Sequence, residues 1–115
     1  MVKYEAQLSA IFMALAHPAR RTMLARLGKG EATVGELAEP LDMSLPSVTK
    51  HLKVLERAKL ISRSKNAQWR PCRLEKAPLM TASGWIEEQR KVWESRLDRL
   101  ESYLHSLEEG ERKKR

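Results

Sequence analysis

Residues 44–55 read SLPSVTKHLKVL, and this segment says most about the architecture of the 115-residue chain. Ser44 is one of the residue types that cap helix N-termini, so a helix is predicted to begin after it. Val48, Leu52 and Leu55 are spaced i, i+4 and i+7, which places them on one face of that helix. The other face is polar and basic, with small side chains near the N-terminus. The segment therefore predicts an amphipathic helix whose apolar face is buried.

Shorter helices are predicted ahead of this segment. The first covers Tyr4–Ala16 and ends at His17-Pro18, because proline disfavours helical geometry at the residue before it. Proline suits the first turn of a helix, so a second helix begins there, and Gly28 is a typical stop. The sequence TVGE at residues 33–36 is a capping box, which begins a short third helix that ends at Pro40.

A β-hairpin and a long helix are predicted after the segment. Leu60–Ser64 and Trp69–Leu74 have the composition of short strands, with Asn66-Ala67 as the turn between them. A helix follows from about Pro78 to Leu107. A short helix, a tight turn, the helix Ser44–Ala58 and a basic hairpin follow one another in the order of a winged helix-turn-helix. The predicted fold is mainly α with a small β-hairpin, or about five helices plus a two-stranded wing over residues 60–74.

The positive charge of the chain is concentrated in one stretch. The formal net charge is +7, and residues 44–76, called the basic segment below, carry nine Lys and Arg against two Glu. Acidic and basic residues balance in the rest of the chain. Such a concentration is typical of a surface that binds a polyanion, although a solvated basic face without a partner would have the same composition.

Three segments resemble the ArsR/SmtB family of bacterial winged helix-turn-helix repressors. They are LAHPAR at residues 15–20, the segment 44–55, and AKLI at residues 58–61. The resemblance extends from Phe12 to Leu104 and implies five helices plus a wing, repression rather than activation, and dimer contacts from the first and last helices. By position it also implies DNA contacts from Ser44, Pro46, Ser47, Thr49 and Lys50.

Side-chain chemistry along the basic segment suits double-stranded DNA. Lys50 can donate to guanine acceptors, and Ser47 and Thr49 can donate or accept hydrogen bonds at base edges. Basic side chains on the hairpin suit phosphates. For His51, a phosphate contact and a packing role are both open. The predicted DNA-binding residues are Ser44, Pro46, Ser47, Thr49, Lys50, His51, Lys53, Arg63, Lys65 and Arg70.

The long last helix predicts a homodimer. A homodimer that binds DNA is expected to recognise a palindromic operator. Its apolar residues follow a short heptad pattern that a small body cannot bury, so a partner helix is needed. The predicted dimer residues are Leu8, Phe12, Ile86, Trp93, Leu97, Leu100 and Leu104. Residues 1–108 are expected to form the DNA-binding and dimerisation domain, and residues 109–115 a disordered charged tail.

Metal-binding and catalytic signatures are weak. The helix before the segment 44–55 lacks the cysteine pair of metal-sensing relatives, and His105 and Glu108 match only half of another metal motif. No catalytic triad or glycine-rich nucleotide loop is recognisable, so no metal, cofactor or enzymatic activity is expected. Cys72 is either an inert packing residue or a redox switch, since Arg70 and Arg73 nearby would favour its thiolate.

Two alternatives to the DNA-binding repressor stay open. One is a winged-helix module that binds another protein, and the other is the same DNA binder gated by a ligand or by oxidation of Cys72. The longest apolar stretch, residues 10–16, is far below the ~20 residues of a membrane span. No signal peptide is recognisable and Cys72 is the single cysteine, so a cytoplasmic protein without membrane contact is expected.

Overall fold

The structure is a computed structural model that describes residues 2–65 and 70–114. Residues 1–82 and 83–115 form two compact units. The helices are α1 (Val2–Leu15), α2 (Pro18–Leu27), α3 (Val34–Ala38), α4 (Leu45–Arg57) and α5 (Lys76–Lys114). The strands are β1 (Ile61–Arg63) and β2 (Cys72–Leu74). The predicted fold class, five helices and a two-stranded antiparallel hairpin, is confirmed.

α2, α3 and α4 begin where the sequence predicts, whereas α1 and α5 each begin two residues before their predicted starts at Tyr4 and Pro78. Thr33 and Glu36 form the complete capping box of α3: Glu36 N–H donates to Thr33 Oγ1 over 3.2 Å, and Thr33 N–H donates to Glu36 Oε1 over 3.1 Å. The Ser44 hydroxyl caps α4 by accepting from Ser47 N–H, and Pro18 is the first residue of α2. Gly28 is the C-cap of α2. These local interactions set where α3 and α4 start, and hence the turn between them.

The core of the first unit is organised around α4. Val48, Leu52 and Leu55 have no exposed surface, as their spacing predicts, and they pack in one cluster with Ile11 of α1 and Leu37 of α3. Removing the side chain of a buried leucine in such a cluster costs about 2–5 kcal/mol. The position of α4 is therefore fixed from its apolar side.

The hairpin is shorter than predicted. The strands pair in the register Ile61↔Leu74, Ser62↔Arg73 and Arg63↔Cys72. Pro71 lies just before β2 because proline has no N–H to give to a ladder, although its carbonyl still accepts from Ser64 N–H over 3.1 Å. The predicted turn Asn66-Ala67 and the predicted strand start at Trp69 lie outside the described residues.

Ala32, just before α3, extends the hairpin on its other side. Its N–H donates to the Cys72 carbonyl over 3.1 Å, and its carbonyl accepts from Cys72 N–H over 2.7 Å. The start of β2 is thereby joined to the entry of the helix-turn-helix by a pair of backbone hydrogen bonds.

The connection from α4 to the hairpin is a Schellman turn built on a lysine. Lys59 has a φ of 61°, in the left-handed region that favours glycine. Its N–H donates to the Glu56 carbonyl over 2.9 Å, and Leu60 N–H donates to the Leu55 carbonyl over 3.0 Å. Leu55 and Leu60 are both fully buried. An apolar contact between residues at these two positions commonly accompanies this motif.

The predicted end of the last helix near Leu107 is wrong. α5 continues to Lys114, so it includes most of the stretch from residue 109 that was predicted to be disordered. Glu, Arg and Lys are good helix formers, and the cost of about 1 kcal/mol at Gly110 does not end the helix. The extent of the predicted domain, residues 1–108, stays a prediction. Within the described part of the chain, no helix is long and apolar enough to cross a membrane.

Candidate nucleic-acid interface

α3 and α4 form the helix-turn-helix, and α4 presents its polar face to solvent. Pro46, Lys50 and Lys53 are exposed, while Ser47 and Thr49 are half-buried. These side chains lie opposite the buried stripe of the same helix, and those near the N-terminus are small. A surface of this kind lets the helix backbone come close to a ligand while lysines remain free to reach outward.

The two serines at the start of α4 share one hydrogen-bond pattern. The Ser44 hydroxyl accepts from Ser47 N–H over 3.3 Å and donates to Ser47 Oγ over 3.1 Å. Because Ser44 uses its own proton inside the cap, the proton of the Ser47 hydroxyl is the one that can be donated outward. Of these two predicted contact residues, Ser47 is therefore the better hydrogen-bond donor to a ligand.

His51 lies in a cluster that connects α4 to the first two helices. Arg20 Nη1 is 3.1 Å from His51 Nδ1, and the rings of His17 and His51 are 4.3 Å apart. His17 also caps α2, since its Nδ1 accepts from Ala19 N–H over 3.1 Å. Partial burial, and then the neighbouring His17 and Arg20, lower the pKa of His51, so the neutral imidazole is favoured. Both a packing role and an outward hydrogen bond remain compatible with this arrangement.

Arg20 is a further member of this cluster, and no role was predicted for it. Its guanidinium also donates to the carbonyls of Ala14 and Met13 at the end of α1, over 2.7 and 2.9 Å. The only signal in the sequence was its place in the LAHPAR segment, one of the three that carried the family resemblance.

The hairpin carries the remaining predicted DNA contacts. Lys65 and Arg70 are exposed, and Arg70 has a positive φ of 44°. Arg63 is half-buried, and its Nε is buried with no hydrogen-bond partner among the described residues. Arg73, in contrast, is 3.8 Å from Glu31, which offsets its charge. The outward positive charge of the hairpin thus lies at its tip rather than at its base.

Cys72 is fully buried at the start of β2. Burial raises the pKa of its thiol, although the nearby Arg63 acts in the opposite direction. The thiol form is therefore favoured, and arginines near Cys72 do not produce the reactive thiolate considered from the sequence. This observation favours packing over a redox role.

Among the described residues, His105 and Glu108, which match half of a metal motif, are joined by no further set of metal ligands. His105 Nε2 is 3.4 Å from Glu109 Oε1, an exposed pair one helical turn apart. In the described ranges, no three His, Cys, Asp or Glu side chains lie where they could hold a metal ion together.

The second unit exposes an apolar stripe along α5. Trp93, Leu97, Leu100 and Leu104 are between 52% and 66% exposed, and Ile86 is 52% exposed. In the first unit, Leu8 is buried and Phe12 is partly buried against the core of its own chain. The stripe on α5, rather than Leu8 and Phe12, is thus the larger apolar surface available to a partner.

A helix-turn-helix followed by a hairpin of this kind defines a winged helix-turn-helix protein. A helix-turn-helix domain model matches residues 15–63. The transcriptional repressor SdpR of Bacillus subtilis (strain 168) is 33% identical over 76 residues, which cover 66% of this chain and 84% of that protein.

Solved structures agree with this classification. An ArsR family transcriptional regulator of known crystal structure has 47% sequence identity to this chain and a TM-score of 0.74. The match covers 79% of this chain and 94% of that one. A homodimeric winged helix-turn-helix DNA-binding domain from Mycobacterium bovis shares the fold at 20% identity, with a TM-score of 0.62 and coverage of 79% and 86%. The chain belongs to the ArsR family of winged helix-turn-helix transcriptional regulators.

Proposed function

We propose that the protein is a homodimeric transcriptional repressor that binds a palindromic operator in double-stranded DNA. α4 enters the major groove with Ser44, Pro46, Ser47, Thr49, Lys50, His51 and Lys53, and the hairpin places Arg63, Lys65 and Arg70 near the phosphate backbone. The observation that carries this proposal is the exposed basic face of α4, with small residues at its N-terminus, opposite a fully buried stripe. Helices of this kind read base edges, while Lys and Arg on phosphates set the register.

The apolar stripe on α5 supports a homodimer. Trp93, Leu97, Leu100 and Leu104 repeat at heptad spacing and are exposed, so a second copy of the same helix is a suitable cover. Ile86 extends this surface, and Leu8 and Phe12 of α1 are proposed as further dimer contacts. The homodimeric relative from Mycobacterium bovis shares the fold, which supports the same assembly. Two copies of α4 would then bind half-sites whose centres are about 34 Å apart.

Repression is proposed because the relative from Bacillus subtilis is a repressor. No enzymatic step, metal or cofactor is part of the proposal. A DNA-binding regulator of this kind acts in the cytoplasm, and the operator is sought first in the DNA around its own gene.

Mobility-shift titrations at several salt concentrations test the DNA surface. Lys50→Ala is expected to reduce discrimination between operator and random DNA, because a good base contact contributes about 1–3 kcal/mol. Lys65→Ala is expected to weaken binding to both DNAs and to lower the slope of log affinity against log salt by about 0.9 per lost phosphate contact. Because a dimer presents each residue twice, the loss of binding free energy and the change in salt slope should both be doubled on a symmetric site.

Lys91→Ala is the matched control, since Lys91 is an exposed lysine outside the basic segment. If neither Lys50→Ala nor Lys65→Ala differs from this control, the basic segment is not the DNA surface. A winged-helix module that binds another protein would then be the better interpretation.

A further inference from the structure

We infer that Arg20 is a positioning residue for DNA binding: it fixes α4 through His51 and keeps the proton of that imidazole on Nε2, where it is available for donation to DNA. The inference rests on the proposed function of α4 as the helix that contacts DNA. It assigns a role to a residue outside the basic segment, in α2.

The geometry requires a single tautomer of His51. An arginine side chain has only hydrogen-bond donors, so the 3.1 Å contact between Arg20 Nη1 and His51 Nδ1 needs an unprotonated Nδ1. The neutral imidazole then carries its proton on Nε2. This nitrogen is a donor on the ring edge remote from Arg20, and a donor suits a phosphate oxygen. Without Arg20, either tautomer of His51 would be allowed.

Arg20 is itself held rigidly. Its Nε and Nη2 donate to the carbonyls of Ala14 and Met13, which lie at the C-terminal end of α1. The Met13 carbonyl also accepts from Ala16 N–H over 3.2 Å, so Arg20 adds a second bond to it, and the third nitrogen of the arginine reaches α4. One planar side chain therefore connects the end of α1 to α4. A lysine could not make these bonds together, because its ammonium is a single point on a flexible stem.

Arg21 provides a matched control on the same helix. Its Nη1 donates to the Leu15 carbonyl over 2.8 Å, so it also binds the end of α1, but it has no bond to His51. Arg20→Ala and Arg21→Ala remove the same charge and a similar contact. They differ in the connection to α4.

The first measurement is nitrogen NMR of the His51 ring in the free protein, which is independent of DNA. The wild type and Arg21→Ala should show the neutral form with the proton on Nε2, and Arg20→Ala should show a mixture of both tautomers. A wild-type ring protonated on Nδ1, or an unchanged Nε2–H form in Arg20→Ala, would overturn the inference. If Arg20→Ala does not fold, Arg20→Met, which keeps a long side chain but has no hydrogen-bond donor, takes its place with the same expected mixture.

The second measurement is a double-mutant cycle in operator affinity. Arg20→Ala and His51→Ala should each weaken binding by about threefold to tenfold, which corresponds to one hydrogen bond. The double variant should bind the operator no more weakly than the single variant with the lower affinity. Arg20→Ala should also leave the slope of log affinity against log salt unchanged. If the effects multiply, or if the salt slope falls by about 0.9, Arg20 contacts phosphate directly and does not act through His51.

The proposed function and this inference can fail separately. Loss of the Lys50→Ala and Lys65→Ala effects would refute DNA binding through α4 and leave the NMR result standing. If those effects hold and the cycle is additive, only the role of Arg20 is refuted.

Discussion

The replacement Lys59→Gly should stabilise the protein. Lys59 has a φ of 61° at the turn that connects α4 to the hairpin, and left-handed geometry costs an L-residue about 1–2 kcal/mol. Glycine avoids this cost but loses about 0.5–1 kcal/mol more conformational entropy when it is ordered. The difference predicts a gain of about 0.5–1 kcal/mol in the free energy of unfolding, or about 2–5 °C in melting temperature.

Lys59→Ala isolates the backbone effect. It removes the same exposed charge but keeps the Cβ atom, so it should gain nothing from the left-handed geometry. Thermal and urea unfolding of the three proteins at one fixed concentration measures the difference, since dimerisation would make the midpoint depend on concentration. A glycine variant no more stable than the alanine variant would show that this turn stores no strain.

Three further outcomes follow from the structure. The double replacement Leu97→Glu and Leu100→Glu should turn the dimer into a monomer, as measured by light scattering. The double replacement Ser95→Glu and Ser102→Glu, on the other side of α5, should leave the dimer intact. A wild-type monomer at micromolar concentration would refute the apolar stripe as a dimer surface. Cys72→Ser should keep DNA binding, and peroxide should release neither protein from DNA, because burial raises the pKa of the thiol; release of the wild type alone would restore the redox switch. The pKa of His51 is lowered in the folded state, so the unfolded chain binds more protons, and stability should fall as the pH drops below about 6.5, the ordinary histidine value. His51→Gln should flatten this dependence in urea titrations from pH 5 to 8. An equally steep curve for the variant would show that another group is responsible.

Local signals predicted most of the fold, because each acts over a few residues. The capping box at Thr33 and Glu36, the serine cap of α4 and the spacing of Val48, Leu52 and Leu55 all depend on neighbours within two turns. The end of α5 was missed because Gly110 is a weak stop and the residues around it favour helix.

The candidate site was only partly predictable for the same reason. Charge and helix spacing placed Lys50 and Lys65 on exposed surfaces without knowledge of the tertiary structure. The contact between Arg20 and His51 joins residues 31 positions apart, and no periodicity or charge pattern relates them. The burial of Cys72 was equally hidden, because it depends on packing at the base of the hairpin rather than on the arginines beside it in sequence.

The paired backbone bonds between Ala32 and Cys72 fix the hairpin to the segment that leads into α3. Proline at either position would remove a donor, so neither position should accept one. The amide protons of Ala32 and Cys72 should also exchange slowly with solvent. Lys65 and Arg70 lie outside this pair of bonds, and both are exposed. Substitutions at these two positions therefore change the charge of the hairpin without disturbing its connection to the helix-turn-helix.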